Sequence, residues 1–170
     1  MKGVNKMGLD MYLYAKKYEG NWAFEKKQNA NYLAIKELYP DVKVSEDSPS
    51  IEVSITVGYW RKANAIHNWF VQNVQNGTDD CGNYYVSRDN LVELRKECDK
   101  VLKNELMLSV LTDSNSSDIL PPVAGFFFGN DERDEWYFNS VKYTVELIDG
   151  LLESIPEDDF TWSFTYHSSW

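Results

Sequence analysis

Three groupings in this chain could do chemistry. The run Trp60-Arg61-Lys62-Ala63-Asn64-Ala65-Ile66-His67-Asn68 brings together an indole, a guanidinium, an ammonium, two carboxamides and an imidazole. Near a helix start such groups can hold a phosphate or carboxylate and stack on a flat ring. With Tyr84 and Trp136 they make a ligand-binding set of Trp60, Arg61, Lys62, Asn64, His67, Tyr84 and Trp136, sized for a nucleotide-like molecule. The same residues also suit a structural role, with Trp60 at the core edge and Arg61 and Lys62 paired to an acidic helix. Asp10 and His167 fall on the polar sides of two expected strands, so adjacent strands would let a carboxylate orient an imidazole for general-base work. Their alternative is an ordinary cross-strand hydrogen bond. Asp79-Asp80-Cys81-Gly82 places two carboxylates in a glycine-bearing turn, which suits Mg²⁺ or Ca²⁺. The alternating oxygens of a calcium loop are missing, however, and turn formation explains Asp and Gly there as well. Asp79 and Asp80 are therefore only weak metal candidates, and no metal or other cofactor is assigned.

The elements that must position these groups follow from hydrophobic spacing. Leu9, Met11, Leu13 and Ala15 alternate with Asp10, Tyr12, Tyr14 and Lys16, which predicts a half-buried strand. Ile51, Val53, Ile55 and Val57 alternate with Glu52, Ser54 and Thr56 as a second strand, broken at Gly58. Residues 61–74 read as a helix with Ala63, Ile66, Phe70 and Val74 on one stripe and His67 on the shoulder between core and solvent. A short strand at Tyr84 to Val86 leads to Ser87, placed to cap a helix over about 88–104 with Leu91, Leu94, Cys98, Val101 and Leu102 inward. Phe126 to Phe128 reads as a short strand or turn edge. A helix over about 135–154, stopped by Pro156, and a final alternating strand from Phe160 to His167 complete the chain. The result is a single α+β domain over 1–170, an antiparallel or mixed sheet of about four to five strands packed by about three helices. Loop-rich stretches are expected at 19–50, with one short helix near 30–38, and at 107–120.

Composition narrows the function classes. At 170 residues, 15% aromatic and 26% charged, the chain has the make-up of a globular domain with one core. No apolar run reaches membrane-spanning length, and the opening Met-Lys-Gly-Val-Asn-Lys lacks the apolar centre of a secretion signal. A net charge of −10 argues against direct nucleic-acid binding through phosphate neutralisation. Positions 131–159 hold ten carboxylates against Arg133 and Lys142. That block reads as a solvated helix face, or as an acidic surface mimicking DNA for a basic partner. Cys98 lies within an apolar helical stripe, and Cys81 outside one is the thiol expected to be exposed. No dinucleotide fingerprint, phosphate-binding loop or serine elbow is present.

Several short words, namely Gly-Leu-Asp-Met-Tyr-Leu-Tyr (8–14), Tyr-Trp-Arg-Lys-Ala-Asn-Ala-Ile-His (59–67), Asp-Asp-Cys-Gly-Asn-Tyr-Tyr-Val (79–86), Gly-Phe-Phe-Phe-Gly (125–129), Asp-Glu-Trp-Tyr-Phe (134–138) and the terminal Tyr-His-Ser-Ser-Trp, resemble those of a family of small tailed-bacteriophage proteins. The likeness covers most of the chain and is weakest at 19–50 and 107–120. The resemblance implies a phage origin and a setting in the host bacterial cytoplasm; it carries no catalytic residues. The expected function is therefore binding, to a host protein or to a nucleotide-like small molecule of host defence. An acid–base hydrolase or transferase using His67 or His167 with Asp10 or the Asp79–Asp80 pair is the alternative, and a DNA-mimic inhibitor a third. The sequence leans away from an enzyme and leaves the oligomeric state open.

Overall fold

A computed structural model describes residues 8–21, 29–47, 49–108, 119–124 and 132–170. The expected element at Phe126 to Phe128 lies outside those residues. Four strands, β1 (Asp10–Gly20), β2 (Ser50–Arg61), β3 (Asn83–Val86) and β4 (Trp162–Ser169), are joined by four helices, α1 (Ala30–Leu38), α2 (Asn64–Asn73), α3 (Arg88–Leu108) and α4 (Glu135–Ser154). The α+β arrangement expected from the spacing is the one observed. The strands form an antiparallel sheet in the order β2-β1-β4-β3, so the last strand enters beside the first.

Met11, Leu13 and Ala15 of β1 meet Trp60 of β2, Phe164 and Tyr166 of β4, and Val86 of β3 on one sheet face, which α2, α3 and α4 cover. Leu91, Leu94, Cys98 and Val101 bring α3 onto this core, and Val141, Ile148 and Ile155 bring the α4 segment. Phe70 lies flat on Tyr166, with ring centroids 4.0 Å apart and planes 10° from parallel. The other face carries Asp10, Tyr12, Tyr14 and His167, none of them fully buried.

Local signals explain the helix ends. Ser87 Oγ accepts from Asn90 N–H and Asn90 Oδ1 accepts from Ser87 N–H, a reciprocal cap that starts α3. Asp134 Oδ1 accepts from Tyr137 N–H at 2.8 Å and starts α4. The last turn of α4 has no basic residue, and Arg88 instead donates to the carbonyls of Leu152 and Ile155. The 19–50 stretch is less irregular than expected. β1 runs on to Gly20, and the buried Glu19 carboxylate accepts from the side chains of Asn29 and Asn31, which ties α1 to the sheet.

The structure corrects the sequence reading at the start of α2 and along β2, and it extends α3 to Leu108 and places the last strand at Trp162–Ser169, with Phe160 exposed before it. The helix expected over 61–74 begins at Asn64; Trp60 and Arg61 end β2, and Lys62 turns the chain with φ 55° while its N–H donates to Leu9 O at 2.8 Å. The alternation of β2 also changes phase. A bulge between Leu13 and Tyr14 of the β1 register leaves Val57 without a partner there, so Gly58 and Trp60 take over the inward face from Ile51, Val53 and Ile55. Gly58 leaves room at that crossing: a Cβ there would sit 2.6 Å from a Leu147 methyl, which would have to move. Cys98 is buried and Cys81 exposed, as the spacing indicated. Burial pushes the Cys98 thiol far above its ordinary value. Among the described residues, no helix is long and apolar enough to cross a membrane.

Candidate functional site

The strand-to-helix turn at Lys62 divides the Trp60–Asn68 block. Trp60 points inward, 3% exposed, donating its indole N–H to Thr144 Oγ1 at 2.9 Å and meeting Phe70 and Tyr143 edge-on. It is a core residue first. The Lys62 stem and the Arg61 guanidinium pass over Gly8, where a Cβ would lie 3.5 Å from Lys62 Cε and 3.8 Å from Arg61 Nη2.

Beyond the turn, Lys62, Ala63 and the first residues of α2, Asn64 to Ile66, form one wall of a hollow of about 320 Å³. The opposite wall is the start of α4, with Asp134, Trp136, Tyr137, Ser140 and Val141; Glu132, Pro122 and Val123 also line it. A groove of about 260 Å³ lies beside it between Arg61, Tyr59 and Tyr143, and the two hollows share Trp136 and Ser140. Trp136 stands between them with 57% of its surface exposed.

Two helix N-termini thus meet in one hollow, and they differ. The first turn of α4 is capped by Asp134. Ala63, at the N-cap of α2, supplies no side-chain acceptor, and no acidic residue follows in the first turn. The α2 wall therefore favours negative charge, reinforced by Lys62. The α4 wall brings the carboxylates of Glu132 and Asp134, which accept from amino groups. A ligand carrying an anionic group at one end, hydrogen-bond donors at the other and a flat ring between them would match this distribution.

His67 and Tyr84 do not line either hollow. His67 is 8% exposed, deeper than the shoulder position expected, and both its nitrogens are engaged: Nδ1 lies 2.7 Å from Tyr166 Oη and Nε2 3.0 Å from Asp79 Oδ1. A carboxylate can only accept, so Nε2 carries the ring proton and Nδ1 accepts from the Tyr166 hydroxyl. Burial lowers the His67 pKa, and the charge and hydrogen bond of Asp79 only partly offset this. The imidazole is therefore neutral near pH 7. Trp170 closes over it edge-on, with ring centroids 6.0 Å apart.

The remaining polar candidates have separate partners. Asp80 Oδ1 accepts from Gly82 N–H at 2.8 Å and from the Tyr84 hydroxyl at 2.9 Å, the self-bonded turn that Asp and Gly favour. β1 and β4 are neighbours and Asp10 and His167 share a face, but Tyr12 is opposite His167 and Ser169 opposite Asp10. Asp10 accepts from the Tyr59 hydroxyl, and His167 Nδ1 lies 3.2 Å from Gly82 O with its ring stacked on Tyr12. Among the described residues, no three His, Cys, Asp or Glu side chains gather where they could hold a metal.

The structure brings Lys62, Asn64 and Trp136 to one hollow, and Trp60 and Arg61 with Trp136 to the adjoining groove. It pairs His67 with Asp79 and Tyr84 with Asp80 elsewhere, and places Asp10 and His167 on the outer sheet face. Glu132, Pro122 and Val123 were missed by sequence reasoning, since no periodic or motif signal marks them. Asp134 carried a signal, as a capping residue two positions before Trp136. No protein-family model, curated protein or solved structure matches this chain.

Proposed function

We propose that this protein acts by binding, and that the hollow between α2 and α4 takes a flat, nucleotide-like ligand with Trp136 against its ring. The observation that carries this reading is the exposed Trp136 indole, standing between two hollows and across from Lys62 and the uncapped first turn of α2. A volume of about 320 Å³ falls within the range of small-molecule sites. Together with the resemblance to tailed-bacteriophage proteins, this suits an accessory protein made in the host cytoplasm that sequesters a nucleotide-like signal of host defence.

The acid–base alternative receives less support. His67 and Asp79 are within hydrogen-bond reach, but Tyr166 occupies the other ring nitrogen and leaves none for a substrate. Acidic mimicry of DNA is also less well supported. Asp134 caps a helix, Asp149 holds Arg95 through two hydrogen bonds, and Asp159 bonds Thr161, so several carboxylates of that block serve the fold itself.

Calorimetric titration with a panel of cyclic and linear nucleotides tests the reading. Heat is expected with at least one member, and Trp136→Ala should weaken that binding by about tenfold or more, the scale of one lost stacking contact. Silence across the whole panel would overturn the small-ligand proposal in favour of a host-protein partner.

A further inference from the structure

The two edges of the sheet are unequal. β3 closes one side with only four residues, whereas β2 closes the other with twelve. A long edge presents unpaired backbone groups to any matching strand, and edges are commonly blunted with Pro, Lys, bulges or a covering helix. Among the described residues, α1 packs against both β1 and β2, and the edge devices of β2 gather at its far end. The bulge at Val57 and α4, whose Tyr143 hydroxyl accepts from Tyr59 N–H at 3.3 Å, protect residues 57–61. Residues 50–56 contain neither Pro nor Lys, and Ile55 is 45% exposed.

The hydrogen-bond phase can be assigned. Asn21 N–H donates to Pro49 O at 2.9 Å, and bonded and open pairs alternate along an antiparallel ladder. Ile51, Val53 and Ile55 therefore turn their backbone groups toward β1, while Glu52, Ser54 and Thr56 turn theirs away. Among the described residues, β1 is the only strand paired with β2.

We infer that residues 50–56 of β2 pair antiparallel with the same segment of a second copy of this chain, about a two-fold axis at Ser54. The side chains on both faces suit this register. Centred on Ser54, the outward backbone groups of Ser54 meet those of Ser54 in the second copy, Glu52 meets Thr56, and Val53 meets Ile55 on the inner face. Like charges are not brought together, and the exposed Ile55 gains an apolar neighbour. Centring on Glu52 would oppose two carboxylates; centring on Thr56 would drive the second copy into the end that α4 covers. The outcome is a continuous eight-stranded sheet across the dimer. With a charge of −10 on each copy, association strengthens as salt screens their repulsion.

Sedimentation of the full chain from micromolar to near-millimolar concentration tests this pairing. The mass should rise from 19.8 kDa toward twice that value, sooner in high salt. Ser54→Pro removes an outward N–H without touching the β1 ladder, and Ile55→Lys puts a charge at the seam. Both should remain monomeric with unchanged circular dichroism. The inference is overturned if the unaltered protein stays monomeric at every concentration, which would assign the edge to a foreign strand. A dimer that survives in both variants also overturns it, placing the interface elsewhere.

Discussion

The hydroxyl of Tyr166 lies 2.7 Å from Nδ1 of His67, ninety-nine positions away in the chain, and the two side chains are held between Phe70 and Trp170. Strand β4 is thereby joined to α2, and through Nε2 to the turn at Asp79. Removing the hydroxyl alone leaves a buried ring nitrogen without its donor. Tyr166→Phe should therefore lower the unfolding free energy by about 1–3 kcal/mol, although ring stacking on Phe70 is kept. Urea unfolding measures it; an unchanged midpoint would show that the hydroxyl contributes nothing net.

The same imidazole predicts a pH response. Burial lowers the pKa of His67 in the folded protein below its ordinary 6.5. As pH falls through about 6.5, the unfolded chain takes up a proton that the folded chain resists, so stability decreases until the lower folded value is reached. Above that window the contribution is flat. Asp99 and Asp159 act lower: hydrogen bonds from Lys103 and Thr161 hold their carboxylates below 3.8, and their support is lost only as pH falls past that range. Urea midpoints between pH 7.5 and 5, with an NMR titration of the His67 ring, check the sign. Stability that increases on acidification across this window would contradict it.

Trp60 and Trp136 should separate stability from binding. Trp60 is 3% exposed and bonded to Thr144, so Trp60→Ala should cost about 3–5 kcal/mol. Trp136 is mostly exposed, so Trp136→Ala should change stability by no more than about 0.5 kcal/mol, and any loss of ligand heat would then report the site rather than the fold. Thermal and urea unfolding of the two variants, side by side, make the comparison.

Much of the fold was legible because its signals are local. The end of α4 was read from Pro156, the start of α3 from Ser87, and the inward residues of β1 from simple alternation. The candidate site was legible only in pieces. Residues 61–74 read as one helix, because Ala63, Ile66 and Phe70 on one side and Arg61, Asn64 and Asn68 on the other both keep its period. Nothing local announced that Lys62 would take a left-handed turn and leave Trp60 and Arg61 at the end of β2. The phase change at Val57 was equally silent, since a bulge depends on how a partner strand is laid alongside.

From sequence alone, then, came the main element types, the inward stripes of β1, α3 and α4 and the contrast between Cys81 and Cys98, all consequences of periodicity and burial within short windows. Tertiary structure alone decided that His67 would be spent on Tyr166 and Asp79, that Trp136 would face Lys62 across a hollow, and that Asp10 would meet Tyr59 instead of His167. The physical reason is sheet order and register. Placing β4 beside β1 and shifting β2 by one bulged residue determines which distant side chains come within a few ångströms, and that choice reflects the packing of the whole core.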